Sequence, residues 1–277
     1  MKALILMTVD PHKIAQGHWG TVFDLGNGRV LKQFREDAHP KAVKMEAEVA
    51  HLANKLGVAT PRPISVQTDV GQCAIVFEKI DGETLAQHIL PRPWKLIWGT
   101  REMARILAKI HTIQINGTQP FKCALEESIQ SLSELPENKK IKALEILKSL
   151  PDGDRLCHKD YHPGNVMVAG SSCFVIDWGG ATHGHPMADL TYTYVLNQVD
   201  GVSEDFPWIN RVFIRAMRGI YVELFLYFYA RYSGVKYRML KAEIKRWVIP
   251  VAAARLASYG DFETRALLKI LRSNGLR

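Results

Sequence analysis

Read as an alternation of apolar and polar positions, the chain changes character near residue 80. Before that point short alternating runs dominate. Lys13 to Phe34 reads as a pair of antiparallel strands turning at Gly26-Asn27-Gly28, residues that tolerate positive φ. Pro40 opens a segment in which Ala42, Met45, Val49, Leu52, Ala53 and Leu56 recur at spacings of three and four, which predicts a helix stopped by Gly57. Val58-Ala59-Thr60-Pro61-Arg62-Pro63 breaks it, and strands are predicted near Ile64 to Gln67 and Cys73 to Glu78. The pattern lapses at Lys79-Ile80-Asp81-Gly82-Glu83, which sets an expected boundary between residues 1–80 and 81–277. Beyond it helical spacing prevails over Leu96 to Ile113, Leu125 to Leu132 and Asn138 to Leu150. After Asp189 a helix to about Val199, an aromatic-rich one from Arg211 to Tyr232 and two or three more are expected. Tyr221, Phe225, Phe228 and Tyr232 read as core rather than as a stacking platform.

One stretch, Leu156 to Asp189, departs from this helical background. Val166 to Val168 and Phe174 to Ile176 read as short strands joined by Ala169-Gly170-Ser171-Ser172, so Asn165 and Asp177 fall just outside the open ends of a hairpin. His158, Asp160 and Asn165 together form H-x-D-x-x-x-x-N. Asp and Asn in a Pro/Gly loop are ordinarily turn formers. Their joint occurrence with a second carboxylate after an apolar strand fits phosphoryl transfer from ATP. That reaction needs one carboxylate to orient a hydroxyl and take its proton, and an amide oxygen with a second carboxylate to hold Mg²⁺.

The amino-terminal region supplies a matching half. Ala15-x-Gly17-x-x-Gly20-x-Val22 is a glycine-rich loop, where small residues let backbone N–H groups approach phosphate oxygens. Lys32 shares a strand face with Val30 and Phe34, where an amine needs a partner. Of two candidate acids on the helix, Glu46 lies at the edge of the apolar stripe and Glu48 well to its side, so Glu46 is the expected ion-pair partner.

Composition narrows the classes. At 277 residues and 47% hydrophobic content the chain can build one large domain or two lobes, and no apolar run approaches the roughly 20 residues of a membrane span. The opening MKALILMTV reads as a first strand rather than a secretory signal. The net charge of +8 comes without a dense Lys/Arg run interleaved with aromatics, so no nucleic-acid role is expected. Cys73, Cys123, Cys157 and Cys173 lie far apart and read as reduced thiols of a cytoplasmic protein. Cys157, His158, His162, Cys173, His183 and His185 fall within a short span but lack zinc-ligand spacing.

From about Lys13 to Tyr194 the chain resembles the aminoglycoside and choline phosphotransferase superfamily. The most specific residues are His158-x-Asp160-x-His162-Pro163-x-Asn165, Ile176-Asp177-Trp178, Gly184-x-Pro186 and Asp189. The resemblance implies an α+β, bilobal protein-kinase-like fold, with a small antiparallel sheet and one helix in the first lobe and a larger, mainly helical second lobe. It implies ATP and Mg²⁺ as cofactors and a small-molecule hydroxyl compound as acceptor. Asp160 would be the catalytic base, and Asn165 and Asp177 the Mg²⁺ ligands. Gly17 and Gly20 would border the phosphates, Lys32 would clamp them and Glu46 would orient Lys32. Backbone groups from Glu78 to Ile80 would meet the adenine, and Asp189 would brace the catalytic loop. Two residues depart from the pattern: Ala15 replaces a loop glycine, and Lys159 stands where relatives usually have Gly.

Two rival readings are a protein kinase and a nucleotide-binding module without catalysis. Asp177 and Asp189 are only 12 residues apart with no Ala-Pro-Glu following, which leaves little room for a peptide-docking segment. The module reading would predict loss of Lys32, Asp160, Asn165 or Asp177, and all four are present. After Asp189 the chain carries 14 Lys/Arg against 7 Asp/Glu, with only Asp200, Glu204 and Asp205 approaching an acidic cluster. A neutral or anionic acceptor is therefore favoured over a polycationic one. Oligomeric state has no signature in the sequence.

Overall fold

The computed structural model describes residues 12–17, 19–69, 72–133, 135–199, 208–257 and 261–276. The strand expected in MKALILMTV and the acids Asp200, Glu204 and Asp205 lie outside the described residues. Three strands, not two, cover the first stretch: β1 (His12–Gln16), β2 (Gly20–Gly26) and β3 (Arg29–Phe34). The ladder is interrupted because Gly17 N–H folds back to Gly20 C=O at 2.9 Å. The turn between β2 and β3 places Gly26, Asn27 and Gly28 at φ of 71°, 50° and 66°, the left-handed region that this triplet tolerates.

The helix α1 (Pro40–Lys55) follows, with Pro in its first turn and the His39 side chain accepting from Lys41 N–H. It ends before Gly57, whose φ of 79° provides the helix stop. Its buried face holds Val43, Glu46, Ala47, Val49, Ala50 and Ala53, whereas Ala42 and Leu56, expected in the stripe, are exposed. The face is turned by about one residue from the expected one, which moves Glu46 from its edge into its middle. Four alanines spread around the helix give the apolar pattern little power to fix its phase.

Strands β4 (Pro63–Asp69) and β5 (Gln72–Glu78) complete a five-stranded antiparallel sheet ordered β1-β2-β3-β5-β4. Alternation along β5 divides its side chains. Cys73 and Ile75 pack with Val43 and Ala47 of α1, while Ala74 and Val76 cluster with Leu31 on the other face. Lys32 pairs directly with Ile75 across the β3–β5 ladder, which puts it on the face that meets α1.

Next come β6 (Glu83–Thr84), α2 (Leu85–Ile89), α3 (Leu96–Ile110), α4 (Phe121–Gln130) and α5 (Glu137–Ser149). The central stretch contains β7 (Arg155–Cys157), β8 (Val166–Ala169), β9 (Ser172–Val175) and β10 (Thr182–Gly184). The hairpin turns at Gly170 and Ser171, so Ala169 and Ser172 belong to the strands and Ile176 lies beyond the ladder. The chain closes with α6 (Pro186–Gln198), α7 (Trp208–Ser233), α8 (Tyr237–Leu256) and α9 (Asp261–Ser273).

Two compact units emerge. One joins Met1–Gln87 to Gly164–Gly180, the other joins His88–Pro163 to Ala181–Arg277. In the first, β8 is sandwiched between β6 and β9, and β9 also donates Val175 N–H to Ala59 C=O at 2.8 Å. In the second, α3 packs on α7 and α6 on α8 around Met103, Leu107, Phe225, Tyr229 and Trp247. Tyr221 and Phe225 are core as expected, but Tyr232 is exposed and Tyr229 fills the interior in its place. Among the described residues no helix is long and apolar enough to cross a membrane.

Candidate active site

In the first unit a single ammonium joins three distant parts of the chain. Lys32 Nζ lies 2.7 Å from Glu46 Oε1 and 2.8 Å from Asp177 Oδ1. Glu46 is 3% exposed, whereas Glu48 faces solvent beside Lys44. Burial pulls the Lys32 pKa down, but the charges of Glu46 and Asp177 outweigh it and hold the pKa above the ordinary lysine value. Burial lifts the Glu46 carboxyl; Asp177 reinforces that rise and Lys32 opposes it. The arrangement is a shared cation between two carboxylates.

Asp177 reaches Lys32 from the end of the hairpin. Val166 faces Val175 as the last ladder pair, and Ile176 N–H then donates to Asn165 C=O at 3.0 Å, so the residues on either side of the mouth are held together. Asp177 follows with φ of 65°. Trp178, buried, donates its indole N–H to Thr60 Oγ1 at 2.9 Å and anchors the segment to the loop after α1. A Cβ on Gly179 would stand 2.9 Å from Glu46 Oε2, so a side chain there would press on the buried acid where glycine does not. The amide oxygen of Asn165 and the carboxylate of Asp177 are hard donors, the chemistry that suits Mg²⁺.

The remaining predicted residues of this unit have local partners. Gly20 is required by packing, because a Cβ there would lie 2.1 Å from Gln33 C=O; Gly17 meets nothing closer than 3.9 Å. Glu78 N–H donates to Arg62 C=O and Lys79 N–H to Gly28 C=O, at 3.0 and 2.9 Å. Ile80 N–H, by contrast, has no hydrogen-bond partner among the described residues. The Glu78 side chain is taken by Arg62 at 2.6 Å.

Asp160 belongs to the second unit, on a loop organised by Asp189. The fully buried Asp189 accepts from His158 N–H and Lys159 N–H, both at 2.7 Å, and from His111 Nε2 at 3.0 Å. His111 Nδ1 lies 2.6 Å from the Tyr229 hydroxyl. Burial favours the neutral acid, yet His111 and these N–H donors prevail and hold Asp189 below the ordinary carboxylate range. Asp160 N–H donates in turn to His158 Nδ1 at 3.3 Å, which gives His158 its structural part in the loop. Burial likewise opposes ionisation of Asp160, and the side-chain interaction with His162, helped by the charge of Arg255, reverses it to a lowered pKa; His162 Nε2 is 3.7 Å from Asp160 Oδ2.

His111, Tyr229 and Gly179 carry no legible functional signal in the sequence beyond a histidine closing an apolar helix and a glycine after Asp177-Trp178, and the anchoring bond of Trp178 to Thr60 was not legible either. Cys157 lies beside His111 and Asp189, but burial drives its thiol pKa well up, and both His111 nitrogens are engaged by Asp189 and Tyr229.

Residues 13–209 match the model of the phosphotransferase enzyme family APH. The chain belongs to that family. Its fold is similar to a choline/ethanolamine kinase family protein from Mesorhizobium loti, with 19% identity, a TM-score of 0.64, and coverage of 97% of this chain and 88% of that one. It is also similar to a thermostable mutant of aminoglycoside phosphotransferase APH(4)-Ia in ternary complex with AMP-PNP and hygromycin B. There the identity is 14%, the TM-score 0.63, and the coverage 96% and 94%. These likenesses establish the α+β, protein-kinase-like fold of this APH family chain. Among curated proteins, the Homo sapiens acyl-CoA dehydrogenase family member 11 is 24% identical over 186 residues. That match covers 55% of this chain and spans 23% of the curated relative's length.

Proposed function

We propose that this APH family chain is an ATP- and Mg²⁺-dependent phosphotransferase that moves the γ-phosphoryl group of ATP to a hydroxyl of a small molecule. The observation that carries the reading is the Lys32 ammonium shared between Glu46 and Asp177, on a fold held in common with kinases of small molecules. Glu46 and Asp177 fix the direction of the ammonium, and Lys32 would meet the α- and β-phosphates. Gly17 and Gly20 would border the phosphates through their backbone, and the free Ile80 N–H with the Glu78 carbonyl would take the adenine edge. Asn165 and Asp177 would hold Mg²⁺, which supplies neutralisation of charge on the phosphate oxygens.

Asp160 would orient the acceptor hydroxyl. As that oxygen bonds to the γ-phosphorus, the bond to the bridging β–γ oxygen breaks, the electron pair leaves with ADP, and the hydroxyl proton passes to the Asp160 carboxylate. The lowered pKa of Asp160 keeps it in the accepting form at neutral pH. We place the protein in the cytoplasm, a location in keeping with four free cysteines, three of them buried.

The test is ATP consumption with Mg²⁺ across sugars, amino alcohols, nucleosides, aminoglycosides, hydroxy acids and a generic protein substrate, beside Asp160→Ala. Turnover with a small hydroxyl compound, reduced about 10²- to 10⁴-fold in Asp160→Ala, is expected. Phosphorylation of the protein substrate alone, or turnover indifferent to Asp160→Ala, would overturn the reading.

A further inference from the structure

Lys159 occupies a backbone conformation that its side chain does not favour. Its φ is 67°, and the other non-glycine residues with positive φ among those described are Asn27 and Asp177. Asn and Asp tolerate the left-handed region through their short polar side chains, and lysine has no such compensation. The geometry is imposed by the Asp189 carboxylate, which takes the Lys159 N–H at 2.7 Å. Glycine could make the same bond without strain, and a strained residue kept beside a reactive group points to function.

Among the described residues the side chain is also without a hydrogen-bond or ion-pair partner. Lys159 is half-buried, and its ammonium makes no hydrogen bond or ion pair with any described residue. The carboxylates whose charge it feels are Glu127, Asp160 and Asp189. Each already has other company. Glu127 accepts from Gln119 Nε2 at 2.7 Å, Asp189 is taken by His111 and two backbone N–H groups, and Asp160 lies against His162. Burial pulls the Lys159 pKa down against the attraction of all three. Arg255, whose charge also reaches Asp160, is held by Glu263 through two bonds of 2.8 and 2.9 Å. Lys159 is thus an unspent cation one residue from the proposed base. A half-buried ammonium of this kind gains when an anion arrives.

We infer that Lys159 selects the acceptor, and that the acceptor is a hydroxyl compound carrying an anionic group, carboxylate or phosphate, close to the hydroxyl that Asp160 orients. The inference rests on the phosphotransferase reading above and deepens it by naming the acceptor's charge.

The experiment uses the full chain with saturating Mg-ATP and acceptors in matched pairs: a sugar and its phosphate ester, and a polyol and the corresponding hydroxy acid. Wild type is compared with Lys159→Met, Lys159→Arg and Lys159→Gly. The wild type is expected to prefer the anionic member, the productive pair telling phosphate from carboxylate. In Lys159→Met the anionic-to-neutral ratio of kcat/KM should fall about 10- to 100-fold, through KM for the acceptor, as expected on losing a charge-assisted contact. Lys159→Arg should retain most of the preference. Lys159→Gly should lose it while the Tm rises by about 1–3 °C, because glycine relieves the left-handed backbone. A purely structural lysine would give the opposite sign in Tm. Transfer to neutral or cationic acceptors alone, an unchanged ratio in Lys159→Met, or a lower Tm in Lys159→Gly overturns the inference and leaves the phosphotransferase reading standing. Failure of the wild type to phosphorylate any small hydroxyl compound removes both.

Discussion

Lys32, Glu46 and Asp177 bear on one another so closely that no one of them can be altered alone. Lys32→Met strands the 3%-exposed Glu46 beside a second carboxylate. A loss of about 3 kcal/mol is expected, measured by denaturant unfolding. Adding Glu46→Gln to Lys32→Met should recover part of it, which a double-mutant cycle reads as coupling. Asp160 allows a prediction with a sign. Its pKa lies below the ordinary carboxylate range, so the acid limb of kcat/KM that belongs to it should fall below about pH 4. His162→Gln removes the imidazole whose interaction does most to outweigh burial, the pKa rises, and activity should fail at a higher pH than in wild type, as read from paired pH–rate profiles. At this scale the sequence was informative where chemistry is local. H-x-D-x-x-x-x-N with a following Asp singled out the loop, and helix phase chose Glu46 over Glu48 even with the stripe misplaced by a residue. It was silent on the Tyr229–His111–Asp189 chain, because that chain joins α7, the end of α3 and α6, and no spacing rule connects them. The strain at Lys159 was equally hidden, since composition gives its charge and not its φ.

Among the elements, the glycines of the first hairpin separate packing from ligand approach. Gly20→Ala would set a Cβ 2.1 Å from Gln33 C=O and push β2 off β3, with a destabilisation of about 1–3 kcal/mol by thermal or denaturant melting. Gly17→Ala meets nothing nearer than 3.9 Å and should leave stability within about 0.5 kcal/mol. If Gly17 borders the phosphates, its effect should appear instead as a raised KM for ATP. The strands and helices themselves were readable because each carries its own period, and β3, β4, β5, α1 and α6 fall close to the expected ranges. The break between β1 and β2 was not, because two glycines inside an alternating run are compatible with either a continuous strand or a folded-back loop. Helix α4 begins at Phe121 rather than Leu125, since its first turn packs the buried Phe121 and Ala124, and a four-residue apolar signal is too short to register.

For the whole molecule, AMP-PNP with Mg²⁺ should raise the Tm by linkage, about 2.7 kcal/mol at one hundred times Kd, and the gain should shrink in Asp177→Ala or Asn165→Ala even where no turnover is measured. The fully buried Asp189 contributes in a defined pH window. Its folded pKa is depressed, so its stabilisation is present above the unfolded carboxylate value near pH 4 and is lost as pH falls through the folded value. Acid unfolding followed beside Asp189→Asn should show that part of the transition removed. The segment Gly164–Gly180 belongs to the first unit although nearly eighty residues of the second precede it. A chain emerging from the ribosome therefore cannot finish the unit it begins first. Until residue 180 has appeared, β6 waits without β8, Thr60 without Trp178, and Lys32 without Asp177. The five-stranded sheet and α1 can form early, but the unit that holds them stays incomplete while the helices of the other unit are still being made, so the order of synthesis and the order of completion differ.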